Sequence, residues 1–210
     1  MTWFYKLSVK IKIYCIAAAA ILGFIVYFVS NYTMSSSQGQ LVGQIQTKTF
    51  PLLQIAERSK VRLERIQEML ASAVSADEMD ILSNADTQKS EMLDDLKKAS
   101  ELDPEGLASQ VSSSFSDYYG IAHSISKSML DGSADFSSLG AKTEKMTTAL
   151  GNTSELLEQF REENNNTFNN TVIEAKALSD KMLINGITIG AIMFFFISVS
   201  YTHLTLPTKA

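Results

Sequence analysis

Few residues of this chain have the types and spacing that chemistry needs. Arg58, Arg62 and Arg65 are the strongest group: at about 100° of rotation per helical residue they fall within about 60° of one helix face. Along that stripe Glu68 is the one obvious partner within the same helix, so the face carries spare positive charge in an otherwise acidic region. Planar guanidinium donors meet two carboxylate oxygens at once, and the cluster suits a small anion such as an amino acid or organic acid. The competing reading is a solvated face, or arginines paired with Glu158, Glu162 or Glu163. Other chemistry lacks its parts. The single cysteine, Cys15, excludes a disulfide framework and a multi-cysteine metal site. His123 and His203 lie far apart with no ligand pattern beside them, so neither a hydrolytic triad nor a metal centre can be assembled. No catalytic residue, metal or cofactor is expected, and the segment in hand reads as no enzyme.

The elements that must carry the arginines are helical. The 210 residues have a net charge of −5, 45% hydrophobic residues and only 3 Pro, which favours an all-α chain over a β-sandwich or barrel. Residues 13–32 are uncharged, about enough to cross a ~30 Å hydrocarbon core, and a second uncharged run starts at Met182. A cleaved signal peptide is the rival reading of the first run, but the run is long for one and no small-residue cleavage site closes it. Residues 1–12 carry three lysines and no acid, whereas 33–181 carry a net −9. The positive-inside rule then puts the N-terminus in the cytoplasm and 33–181 outside. Trp3, Phe4 and Tyr5 at one end and Tyr27 and Tyr32 at the other fit interfacial aromatic belts. An acidic exterior without a basic run argues against nucleic acid as a partner.

Between the two runs, apolar and small residues at 52, 56, 59, 63, 66, 70 and 73 alternate steps of four and three, the seam of a bundled helix. Pro51 should kink or break that helix. Ser75-Ala76-Asp77-Glu78 reads as a capping box opening a second helix, with Ile81, Leu82, Ala85, Leu93, Leu96 and Ala99 inward, that stops near Leu102. Asp103-Pro104-Glu105 reads as the start of a third, carrying Leu107, Val111, Phe115, Tyr118, Ala122, Ile125 and Met129 to a stop at Asp131-Gly132. A fourth begins near Asp135 with Leu139, Thr143, Met146, Leu150, Thr153, Leu157, Phe160 and Asn164 inward. After a change of register it continues through Phe168, Val172 and Ala175 into the second apolar run. The asparagines at 164, 165, 166, 169 and 170 are expected to loosen it. Two transmembrane helices flanking an extracytoplasmic antiparallel four-helix bundle is the predicted architecture.

The layout, together with Thr49-Phe50-Pro51-Leu52-Leu53, Arg65-Ile66-Gln67-Glu68-Met69-Leu70, Tyr118-Tyr119-Gly120-Ile121-Ala122 and Phe160-Arg161-Glu162-Glu163-Asn164, resembles the sensory region of bacterial methyl-accepting chemotaxis proteins and related transmembrane sensors. The resemblance implies a homodimer in the inner membrane with a periplasmic sensor domain. It also implies a small-molecule ligand bound between the long helices and a cytoplasmic output that controls chemotaxis. Similar regions precede histidine kinases and diguanylate cyclases, and a membrane-anchored helical adaptor without a ligand is the reading of a different class.

The implied domains are a cytoplasmic start at 1–12, a membrane helix at 13–32, a sensor at 33–181 and a second, truncated membrane helix at 182–198. Residues 199–210 read as a tail derived from a sequencing adapter, because Val-Ser-Tyr-Thr-His-Leu-Thr-Leu-Pro-Thr from 199 to 208 translates the mosaic-end adapter of transposase-based libraries. A long-read sequence of the source DNA is expected to replace 199–210 with other codons. Finding those residues encoded in place would refute the adapter reading.

Overall fold

The computed structural model describes residues 8–205. Trp3, Phe4, Tyr5 and Lys6, the tail 206–210, and the side chains of Lys12 and His203 lie outside the described residues. Among the described residues all regular structure is helical: α1 (Val9–Gln44), a π-helical turn (Ile45–Thr49), α2 (Phe50–Ala76), α3 (Met79–Leu102), α4 (Ala108–Leu130) and α5 (Phe136–Thr205). The chain forms two compact units, Gln44–Asn170 on one hand and Met1–Gly43 with Thr171–Ala210 on the other.

In the unit Gln44–Asn170, Pro51 does not break the helix. Proline offers no N–H and its ring presses on the carbonyl four residues back. The turn before it widens instead: Phe50 N–H donates to Ile45 O, five residues back, and the backbone is α-helical on both sides. The predicted seam of α2 is buried at every position, Leu52, Ala56, Ser59, Leu63, Ile66, Leu70 and Ala73. The capping box does not form. Ser75 stays inside α2 with its hydroxyl donating to Ala71 O at 2.9 Å. Asp77 closes the helix in the left-handed region (φ 56°), and the Asp77 and Glu78 amides both donate to Ala73 O. On α3, Met92 is fully buried where Leu93 was expected, and Leu93 is half-buried.

Asp103-Pro104-Glu105 also departs from expectation. It forms a tight turn in which Gly106 N donates to Asp103 O at 3.1 Å, and α4 starts at Ala108. The Asp103 carboxylate accepts from Lys48 Nζ at 3.1 Å rather than capping α4. A Cβ on Gly106 would lie 2.8 Å from Asp103 Oδ2, so a larger residue there requires the Asp103 carboxylate to shift. α4 buries Val111, Phe115, Tyr118, Tyr119, Ala122 and Ile125, whereas Met129 is exposed. Asp135 caps α5, its Oδ1 accepting from Ser137 N at 3.0 Å.

α2, α3 and α4 share one apolar core, which α5 completes with Leu157 and Phe160. Nearer its start α5 is less enclosed: Leu139, Met146 and Leu150 are half-buried, and Thr143, expected in the seam, is exposed. The asparagines do not loosen the helix, which is unbroken through them. Asn164 donates to Phe160 O at 2.7 Å and Asn169 to Asn165 Oδ1 at 3.3 Å. Beyond them Thr171 turns inward and Val172 outward, the reverse of the expected register.

In the other unit, α1 and the end of α5 are each long and apolar enough to cross a membrane. Phe24, Phe28, Ile187 and Phe194 are exposed along them. Apolar surface of this extent is stable only out of water, at about 25 cal/mol per Å², and associates the chain with a membrane. Cys15 is an exposed residue of α1.

The left-handed Asp77 offers a direct check on the α2–α3 turn. Aspartate tolerates this conformation, glycine adopts it freely, and a β-branched side chain resists it. Asp77→Gly is expected to match or exceed the native stability in thermal unfolding, and Asp77→Val to lose about 1–2 kcal/mol.

Candidate functional site

The three arginines sit on α2, and the neighbour they meet is α3. Arg62 turns toward Asp95 and Glu91: Nη1 donates to Asp95 Oδ2 at 3.0 Å and Nη2 to Glu91 Oε2 at 3.0 Å. Its side chain is 16% exposed and that of Asp95 11%, so the pair is largely withdrawn from water. Arg58 reaches the same Asp95 oxygen at 3.9 Å while its Nε donates to Gln54 O at 3.4 Å, and Lys98 closes on Asp95 Oδ1 at 3.4 Å. Arg65 is exposed and makes no ion pair among the described residues. Two of the three predicted residues are therefore brought together on one carboxylate, and the third is left in solvent.

Asp95 is the residue that the sequence reading missed. Burial pushes its carboxyl up, but hydrogen bonds from Arg62 and Lys98 and the charge of Arg58 outweigh that and hold it below its ordinary value. The signal was present: Asp95 lies beside Leu96 and three residues after Met92, both fully buried, so its carboxylate had to find a cation. The acids expected as partners are used otherwise. Glu158 is bound by Lys60 at 3.1 Å and by Arg161, which also reaches Glu57 at 3.2 Å. Arg161 and then Lys60 hold the Glu158 carboxyl down to about 2. This second network is largely exposed and contributes little to stability.

A third polar group joins α3 and α4. Tyr119 Oη donates to Asp86 Oδ1 at 2.9 Å, His123 Nε2 lies 3.4 Å from Asp86 Oδ2, and the two rings stack at 5.5 Å. Burial, followed by the bond to Asp86, drives the Tyr119 hydroxyl upward, and burial pushes Tyr118 to about 12. Both phenols therefore remain protonated as core side chains. An open groove of about 480 Å³ lies elsewhere in the unit, lined by Leu107 of the turn before α4 and by Glu162, Glu163, Asn166 and Asn170 of α5. Its lining holds carboxylates and amides and no cation. Among the described residues no three His, Cys, Asp or Glu side chains are grouped to hold a metal.

Comparison with protein-family models, with curated proteins and with solved structures finds no match.

The Asp95 carboxylate sets a pH dependence. Its folded value lies below its unfolded one, so its contribution is complete above the ordinary carboxylate range and is lost as the pH falls through the lower folded value. Asp95→Asn is expected to lower stability at neutral pH by about 1–3 kcal/mol and to flatten the acid limb of the stability profile. Thermal unfolding of the two proteins between neutral pH and pH of about 3 reads both effects.

Proposed function

We propose that this chain is the sensory region of a transmembrane chemoreceptor of the methyl-accepting type, which reads a small extracytoplasmic ligand and passes the signal across a bacterial inner membrane. In this reading the N-terminus is cytoplasmic, 33–181 is a periplasmic antiparallel four-helix bundle acting as a homodimer, and the output domain controls chemotaxis. The observation that carries the proposal is the continuity of α5, which runs without a break from the core residues Leu157 and Phe160 into the apolar run after Met182. An unbroken helix transmits displacement along its axis, because each turn is tied to the next by backbone hydrogen bonds. Histidine-kinase and cyclase sensors would use the same device and differ in the output domain attached to it.

The ligand surface in this proposal includes Arg58 and Arg65. Arg62 serves mainly to neutralise Asp95 and Glu91, which leaves its two neighbours as the more available donors for a carboxylate. The same saturation favours a second reading, a membrane-anchored helical adaptor without a ligand.

Thermal unfolding of the full chain in lipid nanodiscs, with each amino acid and a set of small dicarboxylates added in turn, separates the two. A sensor is expected to gain about 2.7 kcal/mol from a ligand at a hundred times its Kd. Arg58→Ala with Arg65→Ala should abolish that gain while Arg62 stays in place. A folded, helical chain that no compound stabilises would overturn the ligand reading in favour of the adaptor.

A further inference from the structure

Among the described residues of the membrane-associated unit, Asn185 makes polar contacts that join its two helices. Asn185 stands three residues into the apolar run that starts at Met182, and Ser30 stands near the end of the run in α1. Asn185 Nδ2 donates to Ser30 Oγ at 2.7 Å, and both side chains are partly buried. Met34 Sδ lies 4.0 Å from Ser30 Oγ and 4.0 Å from Asn185 Nδ2, completing a small polar pocket of soft acceptors. Other hydroxyls nearby are satisfied within their own helix, Thr33 by Val29 O and Ser30 O and Thr188 by Ile184 O. Asn185 instead spends its donor on the other helix.

The remaining contacts are apolar and loosely specific. A methyl group on Gly23 would overlap the Met193 sulfur, and one on Gly186 would sit 3.7 Å from the Tyr27 ring. Small residues of this kind let two helices approach closely, but lipid is as apolar as the helix surface and gives no hydrophobic drive toward one alignment. A slide of one turn, about 5.4 Å, replaces each apolar layer with another of similar character. The same slide separates Asn185 from Ser30 and breaks the hydrogen bond between the two helices. A single polar residue at a seam position is known to specify register in packed helices.

We propose that the Asn185–Ser30 hydrogen bond is a register lock, selecting one axial alignment of α1 and α5 among several that the apolar contacts tolerate. It goes beyond the sensory reading and holds whether or not the other unit binds a ligand.

The test is disulfide cross-linking in the full chain, in a Cys15→Ser background reconstituted into phosphatidylcholine nanodiscs. Tyr27→Cys is paired in turn with Met182→Cys, Gly186→Cys and Gly190→Cys, which sample the observed alignment and one turn to either side. The native pair is expected to cross-link fastest with Gly186→Cys. Asn185→Leu should lower that preference by about threefold and spread the product to the flanking pairs. The exchange Ser30→Asn with Asn185→Ser should restore it. Ser30→Ala gives the same reading from the acceptor side if Asn185→Leu fails to insert. An unchanged preference in Asn185→Leu or Ser30→Ala, or no preference for Gly186→Cys in the native background, would overturn the lock.

Discussion

Pro51 imposes the constraint around which the first long helical run is organised. The proline cannot donate to the carbonyl of Thr47 and its ring crowds that carbonyl, yet the chain must remain helical if α2 is to present its seam. Widening Ile45–Thr49 to a π-turn satisfies both demands. The sheltered positions reveal the adjustment. They include 41, 45, 49 and 52, with two successive steps of four before a step of three, alongside 43, 48, 51 and 53. A π-turn absorbs that one extra residue and returns the seam to phase at Leu52. The burial of Leu52, Ala56, Leu63 and Ile66 is then a matter of ordinary helical spacing.

Charge placement decides what the unit Gln44–Asn170 can offer to a partner. Asp95 occupies a position beside the core where an ionised carboxylate is tolerated only with cations around it, and Arg62, Lys98 and Arg58 supply them. Withdrawing Arg62 from solvent narrows the exposed part of the arginine stripe to Arg65 and part of Arg58. On α5 the acidic residues take two courses. Glu158 is bound by Arg161 and Lys60, whereas Glu162 and Glu163 line an open groove. An anion and a cation would therefore meet different faces of the same unit.

The other unit obeys different physics. Phe24, Phe28, Phe194 and Ile187 point away from protein, so burying them in lipid stabilises the unit without saying how α1 and α5 align. Gly23 faces the Met193 side chain and Gly186 the Tyr27 ring across the pair, and the proposed lock assigns their alignment to the Asn185 amide.

Much of the fold was legible in the sequence because helical periodicity is a local property. The seam of α2, the inward residues of α4 from Val111 to Ile125, the start of α5 beside Asp135 and both apolar runs stand where spacing and residue type place them. Some departures are of register, as at Leu93, Thr143 and Val172, and others fall where a side chain had a choice of partner. Ser75 could cap α3 or bond back within α2, and Asp103 could cap α4 or meet Lys48; Ser75 took the carbonyl four residues back in its own helix, and Asp103 took the distant lysine that packing brought beside it. The arginine stripe shows the same division. Its helix face was set by the spacing of 58, 62 and 65, but the identity of its counter-charge depended on α3 packing beside α2, with Asp95 and Glu91 at the level of Arg62. Periodicity along one helix determines which residues share a face. Which face of another helix lies opposite is a long-range property, and tertiary packing alone decides it.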